Sequence, residues 1–82
     1  MLERYVGDYE LAPGAVLTVT RDGTRLFAQL TGQARFRVYP ETESRFYYRI
    51  VDAQLGFHLG EGGRADSVTL HQNGRDLRAP RR

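Results

Sequence analysis

Residues 17–30 read Leu17-Thr18-Val19-Thr20-Arg21-Asp22-Gly23-Thr24-Arg25-Leu26-Phe27-Ala28-Gln29-Leu30. Two runs that alternate at every second residue flank an Asp-Gly pair. Leu17 and Val19 share a face in the first run, and Leu26, Ala28 and Leu30 share one in the second. A period of two matches a β-strand, whose successive side chains point to opposite faces. Each run therefore predicts a strand with one apolar face. The Asp22-Gly23 pair between them predicts a tight hairpin, because the central residues of a type I′ turn need positive φ.

The same unit recurs along the whole chain. Turn signals fall at Pro13-Gly14, Asp22-Gly23, Thr31-Gly32, Pro40 to Ser44, Asp52-Ala53, Glu61-Gly62-Gly63 and Asn73-Gly74. They are separated by roughly 8–12 residues, the spacing of an all-β sandwich or barrel. The segments between them are rich in β-branched and aromatic residues, and no window carries a helical period. Short turns between consecutive strands predict an antiparallel up-and-down barrel of about eight short strands. Curling such a sheet onto itself removes exposed strand edges. With 82 residues, the chain has room for one barrel spanning 1–82 and no second domain.

Extending the alternation assigns Phe36, Val38, Phe46, Tyr48 and Ile50 to the inner face. Leu55, Phe57, Leu59, Val68, Leu70 and Leu77 continue the set. The opposite face reads Arg25, Phe27 and Gln29, then Arg35, Arg37 and Tyr39, then Tyr47, Arg49 and Val51, with His58, Thr69 and His71. Arg and Tyr together are enriched where proteins meet partners. They also cover an ordinary sheet with apolar stems and wet tips. Phe27, Arg37, Tyr39, Tyr47 and Arg49 are the interface candidates. On the inner face, Phe46, Tyr48 and Phe57 are candidates for lining a small apolar pocket, although side chains this large favour a filled barrel.

Composition excludes several chemistries. There is no cysteine, hence no disulfide, thiolate metal site or cysteine nucleophile. All twelve basic residues are Arg, so Schiff-base and serine–lysine chemistry are also excluded. The net charge of +2 is spread along the chain, unlike the concentrated basic patch of a nucleic-acid binder. No stretch approaches the roughly 20 apolar residues of a membrane helix. Met1-Leu2-Glu3-Arg4-Tyr5 lacks the pattern of a secretory signal, so any export signal would belong to a longer parent chain.

No catalytic, cofactor or metal site is expected. His58 and His71 fall on separate strands without carboxylates at ligand-like spacing, and a metal site needs three or four ligands. Local hydrogen bonding is the expectation for both. Glu41, Glu43, Glu61, Asp52 and Asp66 lie in or near turns, where carboxylates are solvated. Ser44 and Ser67 stand in no nucleophile motif. Gly60-Glu61-Gly62-Gly63 reads as a hairpin tip, since no helix follows to hold a phosphate.

Several strings, in this order and spacing, carry a family resemblance. They are Tyr5-Val6-Gly7-Asp8-Tyr9-Glu10-Leu11 with Pro13-Gly14, Leu17 to Arg21, Arg25 to Gln29, and Thr31-Gly32-Gln33. Phe36, Pro40-Glu41, Arg45-Phe46, Val51-Asp52-Ala53 and Leu70-His71-Gln72-Asn73-Gly74-Arg75 complete the series. Together they resemble the lipocalin-like domain of unknown function DUF3471, found at the C-terminus of serine β-lactamase-like hydrolases and related peptidases. The resemblance implies a lipocalin-like barrel appended to a catalytic domain that holds the serine and its base. It carries over no catalytic residue.

The expected function is that of a noncatalytic accessory barrel, docking to a covalently linked hydrolase domain or forming homo-oligomers. The alternative is a carrier of a small apolar ligand inside the barrel. Neither nucleic acid nor membrane is an expected partner. On this reading the chain is a piece excised from a longer parent, or an engineered one, and Arg81-Arg82 after Pro80 is a tail.

Overall fold

A computed structural model describes residues 2–82. Eight strands follow one another in the order of the sequence: β1 (Gly7–Ala12), β2 (Ala15–Asp22), β3 (Arg25–Leu30), β4 (Arg35–Pro40), β5 (Arg45–Tyr48), β6 (Ala53–Leu59), β7 (Ala65–Gln72) and β8 (Arg75–Pro80). Each pairs antiparallel with the next in one sheet, the up-and-down order that the turn spacing predicts. The sheet curls until β8 returns to β1. There Tyr9 and Arg81 form a bridge, and the Arg82 N–H donates to the Asp8 carbonyl at 2.9 Å. The barrel is nearly closed.

Turn chemistry sets the register. Asn73 and Gly74 both take positive φ, 53° and 73°, as a type I′ hairpin requires, so Gln72 stands opposite Arg75. The β2–β3 hairpin differs from the sequence expectation by one position. Asp22 pairs with Arg25, so Gly23 and Thr24 form the loop, and only Gly23 (φ 64°) is left-handed. That is the sign pattern of a type II′ turn, which needs glycine at its first central position alone.

The core comprises the inward residues of the strands and one element outside them. Leu17, Val19, Leu26, Ala28, Val38, Phe46, Leu55, Phe57, Val68 and Leu70 are buried as the alternation predicts. A short 3-10 helix, Leu2–Tyr5, plugs one end of the barrel. Its Tyr5 ring stacks on Phe57 at 4.5 Å between centroids and meets Phe46 edge-on at 5.5 Å. The Tyr5 hydroxyl donates to the Glu43 carbonyl, and the Tyr9 hydroxyl donates to the Tyr5 carbonyl at 2.7 Å. Both phenols thus sit in the core with their polar tips paired, as burial demands.

Three expected core residues are exposed instead: Ile50, Leu59 and Leu77. Ile50 lies beyond β5, in the β5–β6 connection. Leu59 follows the bulge that shifts β6 against β7, so that Leu59 faces Ala65 while His58 faces Ser67. Leu77 of β8 faces Leu70 of β7 but lies where β8 has parted from β1. The small residues Ala53, Ala65 and Ala79 are buried in their place.

Candidate functional site

The five interface candidates come together on the outer face of β3, β4 and β5. Phe27 pairs across strands with Arg37, and Tyr39 with Tyr47. The Tyr39 and Tyr47 rings lie 5.7 Å apart at 32°. Arginines from this face cover its rings: Arg35 lies 4.3 Å from the Phe27 centroid, and Arg37 lies 4.5 Å from that of Tyr39. Arg49, just past β5, lies 4.1 Å from the Tyr39 centroid. Each such contact contributes about 0.5–1 kcal/mol at an exposed site.

These contacts also hold the guanidinium groups in place while leaving their N–H edges open. Among the described residues, none of Arg35, Arg37 and Arg49 has a carboxylate within 4 Å. The polar end of the face is tied down separately. The Arg45 Nη1 donates to Gln54 Oε1 at 3.1 Å, and Gln54 pairs with Tyr47 on one side and His71 on the other. The arrangement is a pre-ordered row of aromatic rings and cations, suited to a partner surface that supplies carboxylates or carbonyls.

The interior candidates separate. Phe46 and Phe57 pack on Tyr5 at the plugged end. Tyr48 lines a cup at the opposite, open end, with Leu17, Ala28, Leu30, Phe36, Val51, Ala53 and Leu70 around it and Gln33 and Gln72 at the rim. The cup holds about 100 Å³, well below the roughly 300–1,000 Å³ of a pocket for a drug-sized ligand. Burial pushes the Tyr48 phenol up to about 12.

Both histidines are locally hydrogen-bonded, as expected. The His58 Nε2 lies 2.8 Å from Thr69 Oγ1, and His71 Nδ1 lies 2.6 Å from Asp76 Oδ1. The second contact corrects the reading that no carboxylate stands beside either histidine. The two-residue Asn73-Gly74 turn puts His71 directly opposite Asp76. Ser67 is buried, and its Oγ finds no hydrogen-bond partner among the described residues. Although His58 stands opposite it in the ladder, that ring bonds Thr69 instead.

Arg81, a tail residue on the sequence expectation, lies instead in the barrel wall. Its Nε donates to the Ala65 carbonyl at 2.5 Å and its Nη1 to the Val6 carbonyl at 2.8 Å. Its Nη2 reaches the Arg4 carbonyl at 3.3 Å and the Tyr9 hydroxyl at 3.1 Å. One guanidinium therefore ties β7, β1 and the plug together where the sheet closes. Gly7 makes the room: with φ at 155°, a Cβ there would lie 2.1 Å from Arg81 Nη1. Burial raises the Tyr9 pKa, and the Arg81 charge beside it opposes that rise.

The family model described as "Domain of unknown function (DUF3471)" matches residues 1–81. The chain is 37% identical over 78 residues to Penicillin-binding protein 4* of Bacillus subtilis (strain 168). That alignment covers 95% of this chain and 17% of the relative, so the chain spans about a sixth of that protein's length. No solved structure matches. The family match runs through the plug, all eight strands and the closing Arg81, and the chain belongs to the DUF3471 family.

Proposed function

We propose that this chain is a noncatalytic accessory barrel that docks through the outer face of β3–β5 onto a linked hydrolase domain. The observation that carries the reading is the ordered Arg–aromatic row, with Phe27 and Tyr39 beneath guanidinium groups that have no carboxylate partner among the described residues. Isolated surface arginines are mobile and solvated. Here the ring contacts bias their orientation in advance, which lowers the ordering cost of binding. The relative supports the choice of occupant, because more than four-fifths of Penicillin-binding protein 4* lies outside the matched segment.

The test replaces the matched segment of that protein by this chain and follows thermal unfolding. Docking predicts a single coupled transition for the chimera. Replacing Phe27 and Tyr47 by serine should split it into two, while the isolated barrel keeps its fold. Two independent transitions in the chimera with the native face would refute the reading.

The carrier reading draws on one observation, the apolar cup around Tyr48. At about 100 Å³ the cup is smaller than the roughly 150 Å³ cavity that takes up benzene. It suits a molecule of only a few heavy atoms. Saturable binding of a small alkane or alcohol, abolished by Ala28→Phe, is its test. The absence of any saturation by a folded sample would dismiss it.

A further inference from the structure

Among the described residues, no strand pairs with the free edge of β8 over residues 75–78. Pairing between β8 and β1 is confined to the bridge Tyr9–Arg81 and its immediate neighbours. Beyond it, β1 is bulged between Glu10 and Ala12, and Arg75 to Arg78 are all exposed. The direction of the backbone groups follows from two hydrogen bonds at the end of the strand. The Arg81 N–H donates to Asp66 on the β7 side, at 2.7 Å, and the Arg82 N–H to Asp8 on the β1 side, at 2.9 Å. Successive residues alternate in direction along a strand, so odd-numbered residues of β8 bond β7 and even-numbered ones face away. The type I′ turn gives the same parity independently, since Gln72 and Arg75 flank it as its hydrogen-bonded pair. The N–H and C=O groups of Asp76 and Arg78 therefore point out of the sheet.

We infer that this edge pairs with the same edge of a second copy, antiparallel, about a two-fold axis at Leu77. The pairing is self-complementary in three respects. Asp76 and Arg78 stand opposite each other's counterpart, so both outward-facing residues form hydrogen-bonded pairs and Leu77 forms the close, unbonded pair between them. The side chains of those pairs have opposite charge, aspartate of one copy against arginine of the other, on the same outer face. Leu77, 48% exposed in the single barrel, meets Leu77 of the second copy on the inner side. Charges on an edge strand commonly prevent pairing. Here the order Asp76-Leu77-Arg78 places unlike charges opposite each other, which favours it. The interface is distinct from the β3–β5 face and does not depend on the docking function.

Few residues take part, so the dimer is weak, with half-association expected at about 0.1–1 mM. Sedimentation equilibrium of the full chain between those concentrations tests it, with circular dichroism confirming the fold of every variant. Asp76→Arg and Arg78→Asp singly oppose like charges, and each should raise the dissociation constant by about tenfold or more. The double exchange Asp76→Arg with Arg78→Asp should return it to within about threefold of the native value. Phe27→Ser with Tyr47→Ser should leave it unchanged. A chain that stays monomeric at about 1 mM overturns the inference. So does a double exchange as weak as its parents, or a dimer lost only when Phe27 and Tyr47 are changed.

Discussion

Replacing Arg81 by alanine should destabilise the barrel far more than its place outside the eight strands suggests. The guanidinium makes two short hydrogen bonds, to the Ala65 and Val6 carbonyls at 2.5 and 2.8 Å, and two longer ones to Arg4 and Tyr9. A hydrogen bond to a charged group contributes about 1.5–3 kcal/mol net. Taking the lower value for the two short bonds and neglecting the long ones gives a loss of about 3 kcal/mol. For a chain of this length that corresponds to a fall in Tm of about 12–24 °C. Urea unfolding followed by circular dichroism measures it, and two neighbouring variants calibrate it. Arg82→Ala should cost under about 0.5 kcal/mol, because only the Arg82 backbone N–H is used in closing the sheet. Gly7→Ala should be costly in the native background, where its Cβ would collide with Arg81 Nη1. It should cost less once Arg81 is gone, with a coupling of about 1 kcal/mol or more. An Arg81→Ala loss no larger than that of Arg82→Ala would refute the role given to this residue.

Other expectations follow from buried polar groups and from the outer face. The Tyr48 phenol, pushed up to about 12 by burial, favours the folded state only while protonated. Stability should be intact below pH about 10, where the unfolded phenol titrates, and fall by about 2 kcal/mol as pH rises through the folded value. Tyr48→Phe should remove that part of the alkaline loss, as unfolding measured from pH 9 to 12 would show. Ser67→Ala deletes a buried hydroxyl without a partner and should stabilise by about 0–1 kcal/mol in urea melts. Phe27→Ser with Tyr47→Ser changes half-buried outer residues, and urea melts should show the isolated barrel losing no more than about 2 kcal/mol. The Arg21 Nε hydrogen bond to Glu3, at 2.6 Å, and then the arginine's charge hold the Glu3 carboxyl below its usual range. Its contribution should be present above the unfolded pKa and vanish as pH falls through the folded one, so Glu3→Gln should flatten the acid limb of the stability curve.

The sequence shows the fold wherever local chemistry decides it. Asn73-Gly74 needs positive φ at both positions, and alternation within a strand reports its own faces, so the strand order and most of the core can be read directly. The Arg–aromatic face can be read for the same reason, since Phe27, Arg37, Tyr39 and Tyr47 each keep the outward phase. Positions determined by barrel closure are hidden. Tyr5 precedes the first strand, and its partners Phe46 and Phe57 lie some forty and fifty residues on. Arg81 takes acceptors 16, 75 and 77 residues back along the chain. Ala65 falls out of phase with Val68 because the bulge beside Leu59 adds a residue to β7. The His71–Asp76 contact was accessible, since a two-residue turn makes residues five apart direct neighbours.

The proposed docking through the outer face is tested most directly by amide hydrogen exchange across β3–β5. The comparison is between the isolated chain and the chimera in which it replaces the matched segment of Penicillin-binding protein 4*. Docking predicts slower exchange in the chimera for residues 25–49, confined to that face and lost when Phe27 and Tyr47 are serine. Equal exchange in the two contexts, or protection on another face of the barrel, would contradict it.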